Sequence, residues 1–482
     1  MPPKTPKATV LHGIRWNLAT SLIRRVISLI LLFFLAKWLS QEDFGIFRTY
    51  SLILLVGTIL AVFGMDNQFL TNKKHPRLSL FSFTQLGLFS GLVFSIILAI
   101  LGRPLGRLYG SAELGLILQL SSGFVLVEIF RRRMRVRAQA LLKFRELALA
   151  ETWNVIFYSV LGVVIIFFIR KVWVYILLFF LGNLIEAGYL LVVLPPDRGL
   201  SLKRLLSGLW LKRSLGLLRR NLSFNLNVSL TALINNYAGN APILFLGTMV
   251  EPKYMGLYFF ATQLIGVPVN MFTASVGAVF YPTFAQSDTR QVSAGIAAYS
   301  RYSLKLGVPL LVFFAFALNL MIPIVLGDKW NEALPLLYYL VAYFGTSLLN
   351  DPISSIPYIC RKPHWELIWN ICSLALRVLV LYLGIRHSFN AAILAFCLVS
   401  GFMNIVFYLM SLILLRDKVL IPMLKVLAAA LFATVLSFVL YWLQSQPLPL
   451  LWAGLTFVLY MAGLVITHRS LLVDLKSVLR GD

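Results

Sequence analysis

Two stretches of sixteen residues, LGLFSGLVFSIILAIL at 86–101 and NVIFYSVLGVVIIFFI at 154–169, contain no charged side chain. A backbone in hydrocarbon must satisfy its own hydrogen bonds, so a run of this kind crosses a bilayer as a helix of roughly 20 residues. Counting the segments that contain these two, apolar segments fall at about 16–38, 45–67, 80–101, 108–129, 148–169, 172–193, 222–248, 255–283, 303–326, 334–356, 366–385, 391–414, 423–443 and 449–467. The expectation is an all-α polytopic membrane protein of about fourteen transmembrane helices. Composition agrees: 59% of residues are hydrophobic and 13% charged, against about 25% charged in soluble domains. So little charge cannot dress a large soluble surface, which excludes a soluble enzyme, a secreted disulfide scaffold and a disordered chain. The three cysteines, Cys360, Cys372 and Cys397, are too scattered for a zinc site. Residues 16–38 read as a retained helix, because no small-residue cleavage site follows them.

The net charge of +25 would point to nucleic acid if the cations clustered on one soluble face. They alternate between loops instead. Lys73, Lys74 and Arg77 occupy the second loop, and Arg131, Arg132, Arg133, Arg135, Arg137, Lys143 and Arg145 the fourth. Arg198, Lys203, Arg204, Lys212, Arg213, Arg219 and Arg220 fill the sixth. Later members are Arg290, Arg301 and Lys305, then Arg361 and Lys362, then Arg416, Lys418 and Lys425. Basic residues stay on the cytoplasmic side of short loops, so this pattern places both termini in the cytoplasm, with roughly 31 of the 43 Lys and Arg facing it. The charge is then a topology signal with attraction to anionic lipid added, and nucleic acid is not expected as a partner.

The opposite loops are short: SQED at 40–43, EPK at 251–253, GDKWNEA at 327–333 and RHSFN at 386–390. They leave no room for an external catalytic domain. The longest connection, 194–221, is basic and amphipathic and reads as a surface segment. It divides the chain into an N-terminal lobe at 1–194 (helices 1–6), a cytoplasmic linker at 195–220, a C-terminal lobe at 221–415 (helices 7–12), and two additional helices with a cytoplasmic tail at 416–482. Two lobes facing a central cavity is a transporter layout.

A charge at the bilayer centre costs about 2.5–3.5 kcal/mol on insertion scales, so each one needs a reason. Arg24 and Arg25 lie about 15 Å into the first helix. Asn17, Ser21, Arg24 and Ser28 share one face of it. Either this stripe binds an anion in a cavity or it pairs with a carboxylate of another helix. Arg377, in LALRVLVLYL, is the counterpart in the second lobe. A guanidinium fork in each lobe suits a diphosphate, so Arg24, Arg25 and Arg377 are the candidate diphosphate ligands. The seventh helix, NLSFNLNVSLTALINNYAGNAP at 221–242, is rich in amides. Asn225, Ser229, Asn236, Tyr237 and Asn240 form a candidate glycan-binding wall, with interhelical hydrogen bonding as the plainer alternative. Asp66, Glu128, Glu151 and Glu186 are candidates for charge balance or ion coupling. No P-loop, HExxH motif or metal-ligand spacing occurs in the sequence, so no cofactor or metal is expected. Energy then comes from an ion gradient, the membrane potential or the substrate gradient, with proton and sodium both open as coupling ions. Gly266, Pro268 and Gly277 in helix eight, and Gly307 and Pro309 in helix nine, are candidate breaks.

Three blocks carry a family resemblance. LSQEDFGIFRTYSLILLVGTILAVFGMDNQFL at 39–70, EPKYMGLYFFATQLIGVPVNMFTASVGAVFYPTFAQ at 251–286 and LGDKWNEALPLLYYL at 326–340 resemble corresponding segments of the oligosaccharide flippases (polysaccharide biosynthesis and O-antigen transporters). These belong to the multidrug/oligosaccharidyl-lipid/polysaccharide exporter superfamily. The resemblance implies a MATE-like two-lobed bundle in the cell inner membrane. It also implies a polyprenyl-diphosphate-linked oligosaccharide as substrate, moved from the cytoplasmic to the outer leaflet, with membrane lipids and polysaccharide-assembly proteins such as a polymerase as partners. Relatives carry an acidic residue late in helix seven where this chain has Ala241 and Pro242, so a coupling role does not transfer to that position. Rival expectations are a lipid II flippase or multidrug/cation antiporter of the same fold and, in a different class, a membrane glycosyltransferase or ligase.

Overall fold

The computed structural model describes residues 6–71, 76–195, 208–284, 296, 299–300, 303–350, 353, 356–359 and 363–415. The expected helices at 423–443 and 449–467, and the tail, lie outside these residues. The described elements are helical throughout. Among them, seven helices are long and apolar enough to cross a membrane, or eight if one bent pair counts as a single span.

The first half begins with α1 (Pro6–Trp38) and α2 (Gln41–Val62). SQED proves to be a capping box: Ser40 Oγ accepts from the Asp43 N–H, and the Asp43 carboxylate accepts from the Ser40 N–H at 2.8 Å. This satisfies amides at the start of α2 and fixes the sharp turn out of α1. Next come α3 (Met65–Thr71), α4 (Pro76–Leu108), α5 (Ala112–Leu120), α6 (Phe124–Ala140), α7 (Phe144–Ile169) and α8 (Val172–Val193). Arg170 and Lys171 alone join α7 to α8 in a tight hairpin, with Arg170 in the left-handed region at φ 43°. In the linker, α9 (Gly208–Arg220) packs on α4, where buried Ser214 donates to Gln85 Oε1 at 2.9 Å. The second half contains α10 (Leu222–Ala241), a π-helical segment (Pro242–Leu246), α11 (Pro252–Phe284), a second π segment (Ser303–Gly307) and α12 (Val308–Leu326). It continues through a 3-10 segment (Gly327–Ala333), α13 (Leu334–Ser347), α14 (Ile356–Ile359), α15 (Pro363–Ile385) and α16 (Phe389–Leu414).

Several expected straight spans are broken. The 45–67 segment stops at Phe63 and Gly64, both at positive φ, and restarts as α3. The 108–129 segment becomes α5 and α6, bent by 58° at Ser121–Gly123. The helix expected over 334–356 ends at Ser347. The opposite correction applies to helix eight, where α11 runs through Gly266 and Pro268 without interruption.

The arginines assigned to the fourth loop need a larger correction: Arg131, Arg132, Arg133, Arg135 and Arg137 all lie within α6. Arg133 and Arg137 are buried. Arg133 donates to Thr84 Oγ1 and Arg137 to the Pro195 carbonyl, while carboxylates meet the other three. Arg132 grips Asp66 of α3 through Nε and Nη2 at 2.9 and 2.6 Å, and Arg131 and Arg135 enter the cluster described below.

The two halves meet most extensively along α2 and α11. At their crossing a Cβ on Gly45 would lie 1.9 Å from the Pro252 carbonyl oxygen, and one on Gly256 would lie 1.7 Å from that of Gln41. Only glycine allows backbones this close. Trp330 of the 3-10 segment seals the same end. Fully buried, it donates its indole N–H to the Ala36 carbonyl at 2.9 Å and packs on Phe44 and Phe260. Lys329 donates to the Ala36 and Leu39 carbonyls, and Gln41 donates to the Lys329 carbonyl. The orphan carbonyls ending α1 are thus satisfied from the other half of the molecule. An exposed pair, Lys253 and Glu332 at 2.7 Å, adds to this end, and the Glu332 hydrogen bond raises the Lys253 ammonium above its ordinary value.

Candidate functional site

Behind this seal lies a cavity of about 590 Å³ between α1, α2, α7, α8 and α11, within the range usual for ligand sites. Its α1 wall extends from Ser21 to Leu39, about 27 Å of helix. Arg24, Arg25 and Arg48 line it, against the single carboxylate of Asp43, which is tied to Ser40 in the capping box. The remainder of the wall is largely apolar, with leucines of α1 and rings such as Phe47, Tyr158 and Phe259, interrupted by neutral polar groups (Ser28, Gln263, Asn270).

The three arginines differ in what holds them. Arg24 is anchored to α7: Nη2 meets Glu151 at 3.0 Å, and Nη1 donates to the Ala148 carbonyl and Thr152 Oγ1. Both readings of this residue therefore apply together, since it lines the cavity and has a carboxylate partner. Arg25, half-buried, has no carboxylate partner among the described residues. Arg48 donates through Nη2 to Asn240 Oδ1 of α10 at 2.5 Å and lies 5.2 Å from the centre of the Phe259 ring. Its Nε is enclosed without an acceptor among the described residues. Sequence reading missed Arg48 because the apolar segment was started at 45, which made it look like an end group. With α2 starting at Gln41, Arg48 sits about 10 Å inside the helix.

Glu128, Glu151 and Glu186 come together behind Arg24. Glu186, 1% exposed, pairs with Arg131 at 3.0 Å and Arg135 at 3.2 Å and accepts from Asn154 Nδ2 at 2.7 Å. Glu128 pairs with Arg131 at 2.6 Å, and Arg135 also pairs with Glu151. Three carboxylates thereby face Arg24, Arg131 and Arg135, and their formal charges cancel. With Arg24 balanced by Glu151, the cavity lining keeps the charges of Arg25 and Arg48 against that of Asp43, a net positive wall in which neither arginine is paired with a carboxylate among the described residues.

Arg377 does not line the cavity. Its side chain, 8% exposed, donates Nη1 to the Ala238 carbonyl of α10 at 2.9 Å and lies near the rings of Tyr343 and Phe396. The cause is local. Pro242 has no N–H to give the carbonyl four residues back, and Arg377 replaces that donor. The amide face of α10 is likewise not among the lining residues of this cavity. Asn225 is fully buried and donates to Gln68 Oε1 at 2.7 Å, with its carbonyl against Gly64. Ser229 is buried, Asn236 donates to the Ala232 carbonyl, and Tyr237 is exposed. Of the five, Asn240 reaches a cavity residue, through Arg48.

Solved structures share this helical-bundle fold. The chain superposes on the lipid II flippase MurJ in its inward closed conformation with a TM-score of 0.68 at 14% identity, over 96% of this chain and 99% of that one. It superposes on an inward-facing multidrug resistance MATE family transporter with a TM-score of 0.60 at 12% identity, over 84% of this chain and 98% of that one. At such identities the likeness establishes the fold. The chain belongs to the polysaccharide biosynthesis protein family, whose model matches residues 34–335. That match includes Arg48, the glycine crossing and Trp330 but neither Arg24, Arg25 nor Arg377. Among curated relatives, the lipopolysaccharide biosynthesis protein WzxC of Escherichia coli (strain K12) is 24% identical over 349 residues, 72% of this chain and 69% of that protein. The succinoglycan biosynthesis transport protein ExoT of Rhizobium meliloti (strain 1021) is 23% identical over an alignment of 514 positions, gaps included, that covers 100% of this chain and 97% of that one.

Proposed function

We propose that the protein is a flippase that carries a polyprenyl-diphosphate-linked oligosaccharide from the cytoplasmic to the outer leaflet of the inner membrane, for assembly of a surface polysaccharide. The observation that carries this reading is the convergence of Arg24, Arg25 and Arg48 on one cavity between the halves. Family membership and the transport and biosynthesis roles of the relatives support it. Drawing an anionic headgroup through hydrocarbon carries a large desolvation cost. Guanidinium forks offset it with charge-assisted, bidentate hydrogen bonds to phosphate oxygens. Arg25 and Arg48 hold the diphosphate, and Arg24, neutralised by Glu151, keeps the lower wall in place. The glycan follows through the polar part of the cavity while the lipid tail stays in the bilayer. No bond is made or broken.

In this reading the lobes are 1–194 and 221–415, the basic end faces the cytoplasm, and the end sealed by Trp330 faces outward. Asp66, Glu128, Glu151 and Glu186 balance arginines. A cationic cavity disfavours the cation antiporter, which needs negative charge for its substrate. The test is surface polysaccharide in a host whose own transporter is deleted and replaced by this protein. Wild type restores it, while Arg25→Gln/Arg48→Gln leaves lipid-linked glycan accumulated inside. Undiminished surface polysaccharide in the double variant contradicts the reading.

A further inference from the structure

Asn240 stands where α10 breaks, with φ −113° and ψ 16°, outside the helical region. Its Nδ2 donates to the Asn236 carbonyl at 2.9 Å, which fixes the amide so that Oδ1 faces Arg48 across the boundary between the halves. Two residues on, Pro242 starts the π-helical segment, and the carbonyl that it cannot serve, that of Ala238, is held by Arg377 of α15. The break is thus gripped by two guanidinium groups, Arg48 from the first half and Arg377 from the second.

We propose that Asn240 is a sensor of anion occupancy: its Oδ1 holds Arg48 in the place that an anion oxygen takes, and losing that bond tells α10 that the cavity is loaded. This rests on the proposed anion-binding role of Arg48. A neutral amide oxygen is a weaker acceptor for guanidinium than a phosphate oxygen, so a phosphate displaces it. Displacement leaves the break held from the second half by Arg377, and one of the ties between α2 and α10 is released. Ligand binding in the first half is in this way converted into a change of bend in the second, which is the differential interaction that a population shift requires. The geometry also explains why the amide is asparagine. A carboxylate there would keep Arg48 permanently, and an apolar residue would leave its Nη2 without an acceptor in a site where its Nε already has none among the described residues.

The full-length protein in nanodiscs is titrated with inorganic pyrophosphate by calorimetry. In parallel, spin labels at Leu230→Cys and Met249→Cys, both exposed and flanking the break, report its bend in a background with Cys360, Cys372 and Cys397 replaced by serine. In wild type, pyrophosphate binds and the label distance changes. Asn240→Asp weakens binding by about tenfold or more because the new carboxylate retains Arg48. Asn240→Ala binds at least as tightly as wild type, but its label distance no longer responds to pyrophosphate. A merely structural Asn240 would lower the melting temperature without separating binding from response. Asn240→Asp binding like wild type, or Asn240→Ala keeping the response, overturns the inference while leaving the anion site intact. If wild type and Arg48→Ala bind pyrophosphate alike, the anion reading fails and the sensor with it.

Discussion

Replacing Gly256 with alanine adds one methyl group at the crossing of α2 and α11. The new Cβ would lie 1.7 Å from the Gln41 oxygen, 2.8 Å from the Gln41 carbonyl carbon and 3.0 Å from the Gly45 nitrogen. All three are backbone atoms, so no side chain can swing aside. Restoring ordinary contact requires the helices to part by about 1.5 Å at this point. Overpacking of this kind costs about 1–3 kcal/mol, charged to the conformation in which the halves touch. Alanine's better helix propensity, worth about 1 kcal/mol, is gained whether or not they touch and cancels. Taking about 2 kcal/mol, the equilibrium between closed and separated halves moves roughly 30-fold toward separation. Spin labels at Glu42→Cys and Glu251→Cys flank the crossing, and pulsed dipolar spectroscopy in nanodiscs reads their distance distribution. The expected result is a new, longer population in Gly256→Ala and in Gly45→Ala. Gly188→Ala, where no atom lies within 4 Å of the added Cβ, serves as the control. An unchanged distribution in both crossing variants would refute the claim that glycine contact holds this end shut.

Glu186→Gln should destabilise the protein by about 3–5 kcal/mol, because Arg131 and Arg135 lose a buried countercharge; a loss under about 1 kcal/mol in chemical denaturation would show that the pairing is dispensable. Trp330→Ala should cost about 3–5 kcal/mol through lost packing on Phe44 and Phe260. Trp330→Phe should cost less than Trp330→Ala, since a ring stays in place while the hydrogen bond to Ala36, worth about 1 kcal/mol, is lost; equal losses would argue against a packing role. Arg377→Ala should destabilise wild type more than the Pro242→Ala background, where a restored N–H serves the Ala238 carbonyl, with a coupling of about 0.5–3 kcal/mol in the double-mutant cycle. Strict additivity would sever the two residues.

The spans were legible because the bilayer enforces length and apolarity on each helix, whereas SQED was read as a short loop and its capping role emerged from the structure. The breaks were less so. A hydropathy window averages across Phe63–Gly64 and Ser121–Gly123, where backbone angle rather than polarity ends the helix. The arginines of α6 were read as loop residues because each alone is costly in a membrane. Their carboxylates on α3, α7 and α8 are distant in sequence, and only Glu128–Arg131 has a visible i,i+3 spacing. Arg377 was read as a ligand group because its depth was evident while its partner was not. The signal was Pro242, whose missing N–H removes the usual donor to the Ala238 carbonyl of α10. For the amides of α10, composition revealed polarity, but which face meets α3 and which meets Arg48 depends on packing.

The most direct test of the central claim is headgroup transfer in proteoliposomes, with a polyprenyl-diphosphate-linked oligosaccharide in one leaflet and a membrane-impermeant glycosidase reporting its arrival in the other. Wild type should move the headgroup. Arg25→Gln and Arg48→Gln should each slow it, and the double variant should fall to the protein-free rate while remaining folded. Transfer by the double variant at the wild-type rate would contradict the account.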